Sequence, residues 1–290
     1  MQPRRVIDAA KEDALAQTYE RHLFTQASNS YLLIPSEPSM DIIGILEITL
    51  SAFNVETTRK LPSHIKIPSE FSVDDKITLT QSAGRTARHG EKFLGWFRID
   101  EYEVQSVQFD LYAFPRTHHA FFTVQRVGED SYLHILATQE RANSLISNLR
   151  PLLEAEGIAM ARCVLDETRI YKVKEKLGLK TIEEIIDGVV PGVKYRATGD
   201  LDNPDHIKIT KEGTRNSFVF RYGALDKKEL VLFRISTSGL THFRSKVTPK
   251  FHIDFITNHL IPLFAYEHLL STIMPARKID GVSHAVQIPH

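Results

Sequence analysis

Residues 93–137, FLGWFRIDEYEVQSVQFDLYAFPRTHHAFFTVQRVGEDSYLHILA, decide the fold class. Their dominant period is two: Phe93–Ile99, Val104–Phe114, Ala120–Val127 and Tyr132–Ala137 read as strands. Val107, Phe109, Leu111 and Ala113 alternate with Gln108, Asp110 and Tyr112, the pattern of a strand with one buried face. Pro115–His118 and Gly128–Asp130 supply turn residues. The expectation is an antiparallel meander over about 61–137.

On its N-terminal side, residues 4–24 mix Ala, Leu, Glu, Lys and Gln without Gly, which favours a helix. Tyr31–Ile34 is a short apolar run stopped by Pro35 and Pro38. Ser39 is expected to cap a second helix, with Ile42, Ile43, Leu46, Leu50 and Phe53 at helical spacing. A strand through Ile45 and Ile48 is the alternative, because β-branched residues are dense there.

On its C-terminal side, Thr138 caps a helix over about Gln139–Glu156, Gly157 ends it, and Ile158–Leu165 follows as a strand. Residues 168–190 read as helical, broken at Gly178 and restarted at a Thr181 cap. A second β segment follows through His206–Thr210, Ser217–Tyr222 and Leu230–Ser236. An apolar helix over about Phe251–Met274, bent near Pro262, closes the chain. The fold class expected is therefore α+β: N-terminal helices with an antiparallel sheet over 1–165, then a second, basic β-rich part over 166–290 closed by a C-terminal helix.

Hydrophobic residues make up 42% and charged residues 25% of 290, the balance of a folded chain with a sizeable core. Lys plus Arg equals Asp plus Glu at 36 each, so no global field draws the chain onto nucleic acid or membrane. No stretch approaches 18 uncharged apolar residues, and the early charges Arg4, Arg5, Asp8 and Lys11 do not read as a signal peptide. A cytoplasmic location without membrane contact is expected. The one cysteine, Cys163, lies in an apolar run and reads as a buried, inert thiol; one cysteine makes neither an internal disulfide nor a cysteine-based zinc site.

The neutral total hides an uneven distribution. Between His206 and Lys250 stand ten cations, Lys208, Lys211, Arg215, Arg221, Lys227, Lys228, Arg234, Arg244, Lys246 and Lys250, against Glu212, Asp226 and Glu229. Phe218, Phe220, Tyr222, Phe233 and Phe243 are interleaved with them. Cations on a sheet neutralise phosphates and aromatics stack on bases, although rings sharing one strand face equally describe a core. A second basic cluster, Arg85, Arg88, His89 and Lys92, occupies the segment Ser82–Lys92. That segment is not a P-loop: five residues separate Gly84 from Gly90, and no Ser or Thr follows Lys92. Residues 99–140 are acidic, with Asp100, Glu101, Glu103, Asp110, Glu129, Asp130 and Glu140 against Arg116 and Arg126.

No catalytic or cofactor fingerprint is present, neither Gly-x-Ser-x-Gly nor Gly-x-Gly-x-x-Gly. A metal-dependent nuclease would draw on Asp74-Asp75-Lys76, or on Asp205 with Asp226-Lys227-Lys228, short patterns that arise readily by chance. The adjacent His118 and His119 point to opposite faces of a strand, and His252 and His259 sit two helical turns apart, so neither pair reads as a metal site. The function expected is non-catalytic binding of DNA or RNA through Lys208, Lys211, Arg215, Arg221, Arg234, Arg244, Lys246 and Lys250, with Arg85, Arg88 and Lys92 in support. The alternatives are docking of a protein partner or self-association, and, third, the nuclease; no cofactor and no metal ligand are assigned.

Overall fold

The computed structural model describes residues 26–68, 76–84, 86–89, 92–187, 193–203, 213–223 and 230–266. Its first strands are β1 (Ala27–Pro35), β2 (Asn54–Lys60), β3 (Ile65–Lys66), β4 (Lys76–Ala83) and β5 (Ala87–His89). The long pair β6 (Lys92–Val107) and β7 (Asp110–Val127) follows, then β8 (Asp130–Leu136) and β9 (Ile158–Val164). The remainder are β10 (Lys180–Asp187), β11 (Lys194–Thr198), β12 (Thr214–Gly223), β13 (Leu230–Ser236), β14 (Thr241–Phe243) and β15 (Ala265–Tyr266). Among the described residues four short α-helices accompany them: α1 (Ile42–Ser51), α2 (Gln139–Ala155), α3 (Glu167–Leu177) and α4 (Pro249–Phe255).

The expected α+β arrangement of N-terminal helices beside one sheet and a second part under a long helix is corrected by this architecture. The described chain is mostly one large antiparallel sheet, in the order β11-β10-β12-β13-β14-β1-β8-β7-β6-β4-β2. Its first described element is a strand, and residues 4–24, read as a helix, lie outside the described residues. The reason is the central place of β1. Ala27 and Ser28 pair with β14, Asn29–Leu33 pair with β8, and Tyr31–Pro35 pair with β9 on the other edge. One strand thus joins pairings from both halves of the chain.

Alternation along β1 also separates two apolar cores. Tyr31 and Leu33 enter the core formed with α1, α2, Phe93, Phe97 and Phe122. Leu32, on the other face, joins Phe218, Phe220, Phe233 and Phe243 beneath α3 and α4. Phe233 is fully buried and meets Phe243 and Phe255 at centroid distances of 5.5 and 4.8 Å, so its truncation to Ala costs about 3–5 kcal/mol.

Local signals hold where a side chain meets its own backbone. Thr138 accepts the Arg141 N–H at the start of α2, and Gly157 takes a positive φ of 80° after its end. α1 begins at an Asp41 cap, 3.1 Å from the Gly44 N–H, rather than at Ser39. Four readings fail. The stretch Val104–Phe114 is not one strand but the apex of the β6–β7 hairpin, with Val107 opposite Asp110 and both turn residues, Gln108 (φ 48°) and Phe109 (φ 72°), in the left-handed region. Two positive φ values match the twist of the flanking strands, and neither residue is of the Gly or Asn type that signals such a turn. Pro115–His118, read as a turn, lies within β7. Lys180–Asp187, read as a helix after a Thr181 cap, is strand β10, because Gly178 ends α3 in a left-handed cap and β11 and β12 pair along both its edges. The last helix is α4 followed by a π turn (Ile256–Leu260) and a 3-10 turn (Ile261–Leu263), and the chain then pairs as β15 with β9.

Candidate nucleic-acid interface

Strand β10 carries two adjacent carboxylates, Glu183 and Glu184, which period-two geometry sends to opposite faces. Glu184 turns into the sheet's covered side, where Arg215 Nε donates to it at 3.1 Å and Arg215 Nη1 donates to Glu167 of α3 at 3.0 Å. Arg215 is buried, so this member of the expected basic surface belongs to the interior. Glu183 turns to the opposite face and gathers three guanidiniums from separate elements. Arg196 of β11 donates to it at 2.6 Å, Arg234 of β13 at 2.8 Å, and Arg244, just past β14, at 2.9 and 3.0 Å.

A carboxylate only 4% exposed resists ionisation through burial, yet the hydrogen bonds from Arg196, Arg244 and Arg234 prevail and hold the Glu183 pKa at about 2. Three cations on one anion leave a surplus of two charges. The register runs Glu183–Val219–Arg234–His242 across β10, β12, β13 and β14. Burial, with the Arg234 and Arg244 charges beside it, lowers the His242 pKa, so that imidazole is neutral near pH 7. The neighbouring row places exposed Lys180 opposite exposed Arg221, and Arg221 opposite Leu232, whose carbonyl accepts the Arg244 N–H. At the far end Asp187 is met by Lys194 and Asn216. Phe218, Phe220, Phe233 and Phe243 alternate with these residues and are fully buried on the other side, so the interleaved rings are core. The five strands therefore present one apolar and one cationic face.

The other expected residues divide into four groups. Lys208, Lys211 and Arg85 lie outside the described residues. Arg88 is exposed on β5 and shares a surface hollow with Arg126 and Glu129. Lys246 is exposed on the connection to α4. Lys92 and Lys250, from two basic clusters far apart in sequence, line the same cleft of about 510 Å³ between α4 and one face of the β6–β7 pair. Glu183, Arg196 and Lys180 escaped the reading: their signal is only an acidic pair inside an isoleucine-rich run and one Arg in a short polar strand, and nothing local links them.

Behind the cleft lies an uncharged polar network. Ser30 and His134 Nδ1 are 2.9 Å apart, Gln125 Nε2 and His134 Nε2 are 3.3 Å apart, and Gln125 also donates to Thr257. Ser28 and His252 Nε2 are 2.9 Å apart. Burial pushes both imidazoles down to about 3, so both are neutral. His252 is thus an interior group rather than a helix-surface one.

In the acidic stretch, Asp100, Glu101 and Glu103 are bound by Arg98, Arg141 and Arg116 respectively. Among the described residues no group of three or more His, Cys, Asp or Glu is placed to share a metal ion. Asp74, Asp75, Asp205, Asp226, Lys227 and Lys228 of the nuclease patterns lie outside the described residues. Cys163 is 1% exposed and burial raises its pKa far above the usual thiol range. Among the described residues no helix is long and apolar enough to cross a membrane. No family model matches the chain, and no curated protein matches it by sequence.

Proposed function

We propose that the chain binds the phosphate backbone of DNA or RNA, without chemistry, on the cationic face of β10–β14. The observation that carries this reading is the Glu183 cluster: three guanidiniums held side by side by one buried carboxylate, with a surplus of two charges. A guanidinium already fixed by one partner keeps further N–H groups for a phosphate and loses less freedom on binding. Lys180 and Arg221 extend the same face. No Phe, Tyr or Trp alternates onto this face among its described residues, so recognition runs through phosphates rather than stacked bases, with little sequence preference.

Labelled single- and double-stranded oligonucleotides titrated between about 50 and 200 mM salt test this reading, since counterion release makes phosphate-dependent affinity fall steeply over that range. The triple variant Lys180→Gln, Arg196→Gln, Arg221→Gln is expected to weaken binding at least roughly tenfold and to flatten the salt slope by about 0.7–0.9 per lost contact. Absence of binding at low salt, or a triple variant that binds as wild type, removes the reading.

One observation favours self-association with a second copy. The β6–β7 apex exposes Val104, Val107 and Phe109, the last at 104% of its reference area and in a left-handed conformation that a bulky residue rarely adopts. Phe109→Gly relieves that backbone and is expected to raise stability by about 1 kcal/mol while abolishing any dimer seen by sedimentation velocity. A dimer that survives this substitution excludes the apex.

A further inference from the structure

We propose that the cleft between α4 and the face of the β6–β7 pair is a separate site for a single nucleoside phosphate, independent of the polymer proposed for the cationic face. The two places lie on opposite sides of the sheet. α4 packs through Phe251 and Phe255 onto Phe243 and Phe233, whereas Arg234 and Arg244 alternate to the other side. A volume of about 510 Å³ suits one small ligand and not a duplex.

The lining has the division of labour that such a ligand requires. Lys92 and Lys250 are exposed at the mouth, one from the start of β6 and one from the first turn of α4, and present two ammonium groups to a phosphate. Leu94, Phe121 and Ile253 offer apolar surface to a flat ring. Thr123 and Gln125 are buried polar residues at the floor. Thr123 donates to the Phe93 carbonyl at 3.3 Å, and the Gln125 amide nitrogen is directed inward to His134 and Thr257. The Gln125 carbonyl oxygen accepts no hydrogen bond among the described residues and serves as an acceptor for a ring or amino N–H, while the Asp254 carboxylate on the wall accepts from a sugar hydroxyl. A purely aliphatic anion would use neither the Gln125 amide oxygen nor the apolar wall, whereas a nucleoside phosphate engages both ends of the cleft. Burial first, and the Lys92 charge after it, lower the His134 pKa, and a bound phosphate would offset that charge.

The chain has one tryptophan, Trp96, paired in register with Phe121 of the cleft wall, and its emission reports occupancy. The experiment titrates the full chain with adenosine monophosphate, adenosine and inorganic phosphate. Adenosine monophosphate is expected to saturate the signal below about 1 mM, with each of the other two at least roughly tenfold weaker. Lys92→Gln and Lys250→Gln, both at exposed positions, are each expected to weaken it about tenfold with the melting temperature unchanged, and the Lys180, Arg196, Arg221 triple variant to leave it unaltered. Inorganic phosphate binding as tightly as the nucleotide, no saturation by the nucleotide, or lysine variants that bind as wild type each overturn the proposal. Loss of nucleotide binding in the triple variant also overturns it, since the two sites would then be one. Failure of oligonucleotide binding alone leaves this site standing.

Discussion

Two polar clusters sit on the same sheet and resolve burial in opposite ways. The Glu183 cluster is ionised throughout, because three guanidiniums reach one carboxylate and outweigh its loss of water, holding it at about 2. The network of Ser28, Ser30, Gln125, His134 and His252 is no less polar, yet it is neutral. No carboxylate hydrogen-bonds to His134 or His252 among the described residues, so burial, with the Lys92 charge adding to it at His134, sets their state at about 3. The difference teaches that the charge available for binding here follows from partners rather than from depth. An opposite charge brought by another strand keeps an ion an ion, and its absence turns a titratable group into a hydrogen-bonding spacer.

The largest expected effect separates the clusters by pH. The folded pKa of each buried imidazole lies below its ordinary value of 6.5, so their stabilising contribution is complete above pH 6.5. As pH falls, the unfolded chain takes up protons that the folded chain refuses, and stability declines by about 1.4 kcal/mol per pH unit per imidazole until about pH 3. Urea unfolding at pH 6.5 and 4.5 is expected to differ by several kcal/mol, on the order of 4. His134→Asn should roughly halve that slope, and a slope equal to wild type would break the distinction between the clusters. Glu183, depressed from 4.5 to about 2, acts in a lower window: its contribution stands above pH 4.5 and is lost as pH falls through 2.

The next effect tests the ionic side. Glu183→Gln leaves Arg196, Arg234 and Arg244 without their shared anion and is expected to cost on the order of 3 kcal/mol at neutral pH. Glu184→Gln removes one of the two carboxylates on the buried Arg215 and leaves it Glu167, so it should cost less, on the order of 1–2 kcal/mol, both read from denaturant midpoints. A loss below about 0.5 kcal/mol at both would mean that the arginines are held by solvent rather than by carboxylate.

The smallest effect sharpens the comparison within one cluster. Arg196 shares Glu183 but its side chain is 62% exposed, so Arg196→Gln should change stability by less than about 0.5 kcal/mol. The same change is expected to weaken oligonucleotide binding several-fold and reduce its salt slope by about one. Equal losses of stability in Arg196→Gln and Glu183→Gln would show the cluster to be purely structural.

Legibility followed the range of the interaction. Thr138 and Gly157 bracket α2 in sequence because cap and helix are neighbours, and the burial of Cys163 was readable from its apolar run. The apex at Gln108 and Phe109 was not, since its residues resemble a strand and only the pairing of Val107 with Asp110 forces the turn. The run KTIEEIID over 180–187 has helix-forming composition, and it extends because strands on both edges take its backbone groups. Of the basic residues between 206 and 250, Arg234 and Arg244 belong to the candidate surface with Arg221, whereas Arg215 is consumed inside. No local pattern distinguishes those fates, because the deciding carboxylates stand at 167, 183 and 184.

The sequence by itself determined that period-two strands run through the middle of the chain, where α2 begins and ends, and that cations concentrate toward the C-terminal half. Tertiary structure alone decided that β1 would unite strands from both halves, that Lys92 and Lys250 would share a cleft, and that Glu183 would collect arginines from three elements. Propensity and alternation act over a few residues, whereas strand partners and ion partners are chosen across the chain by which pairings bury the most apolar surface and leave the fewest charges unpaired.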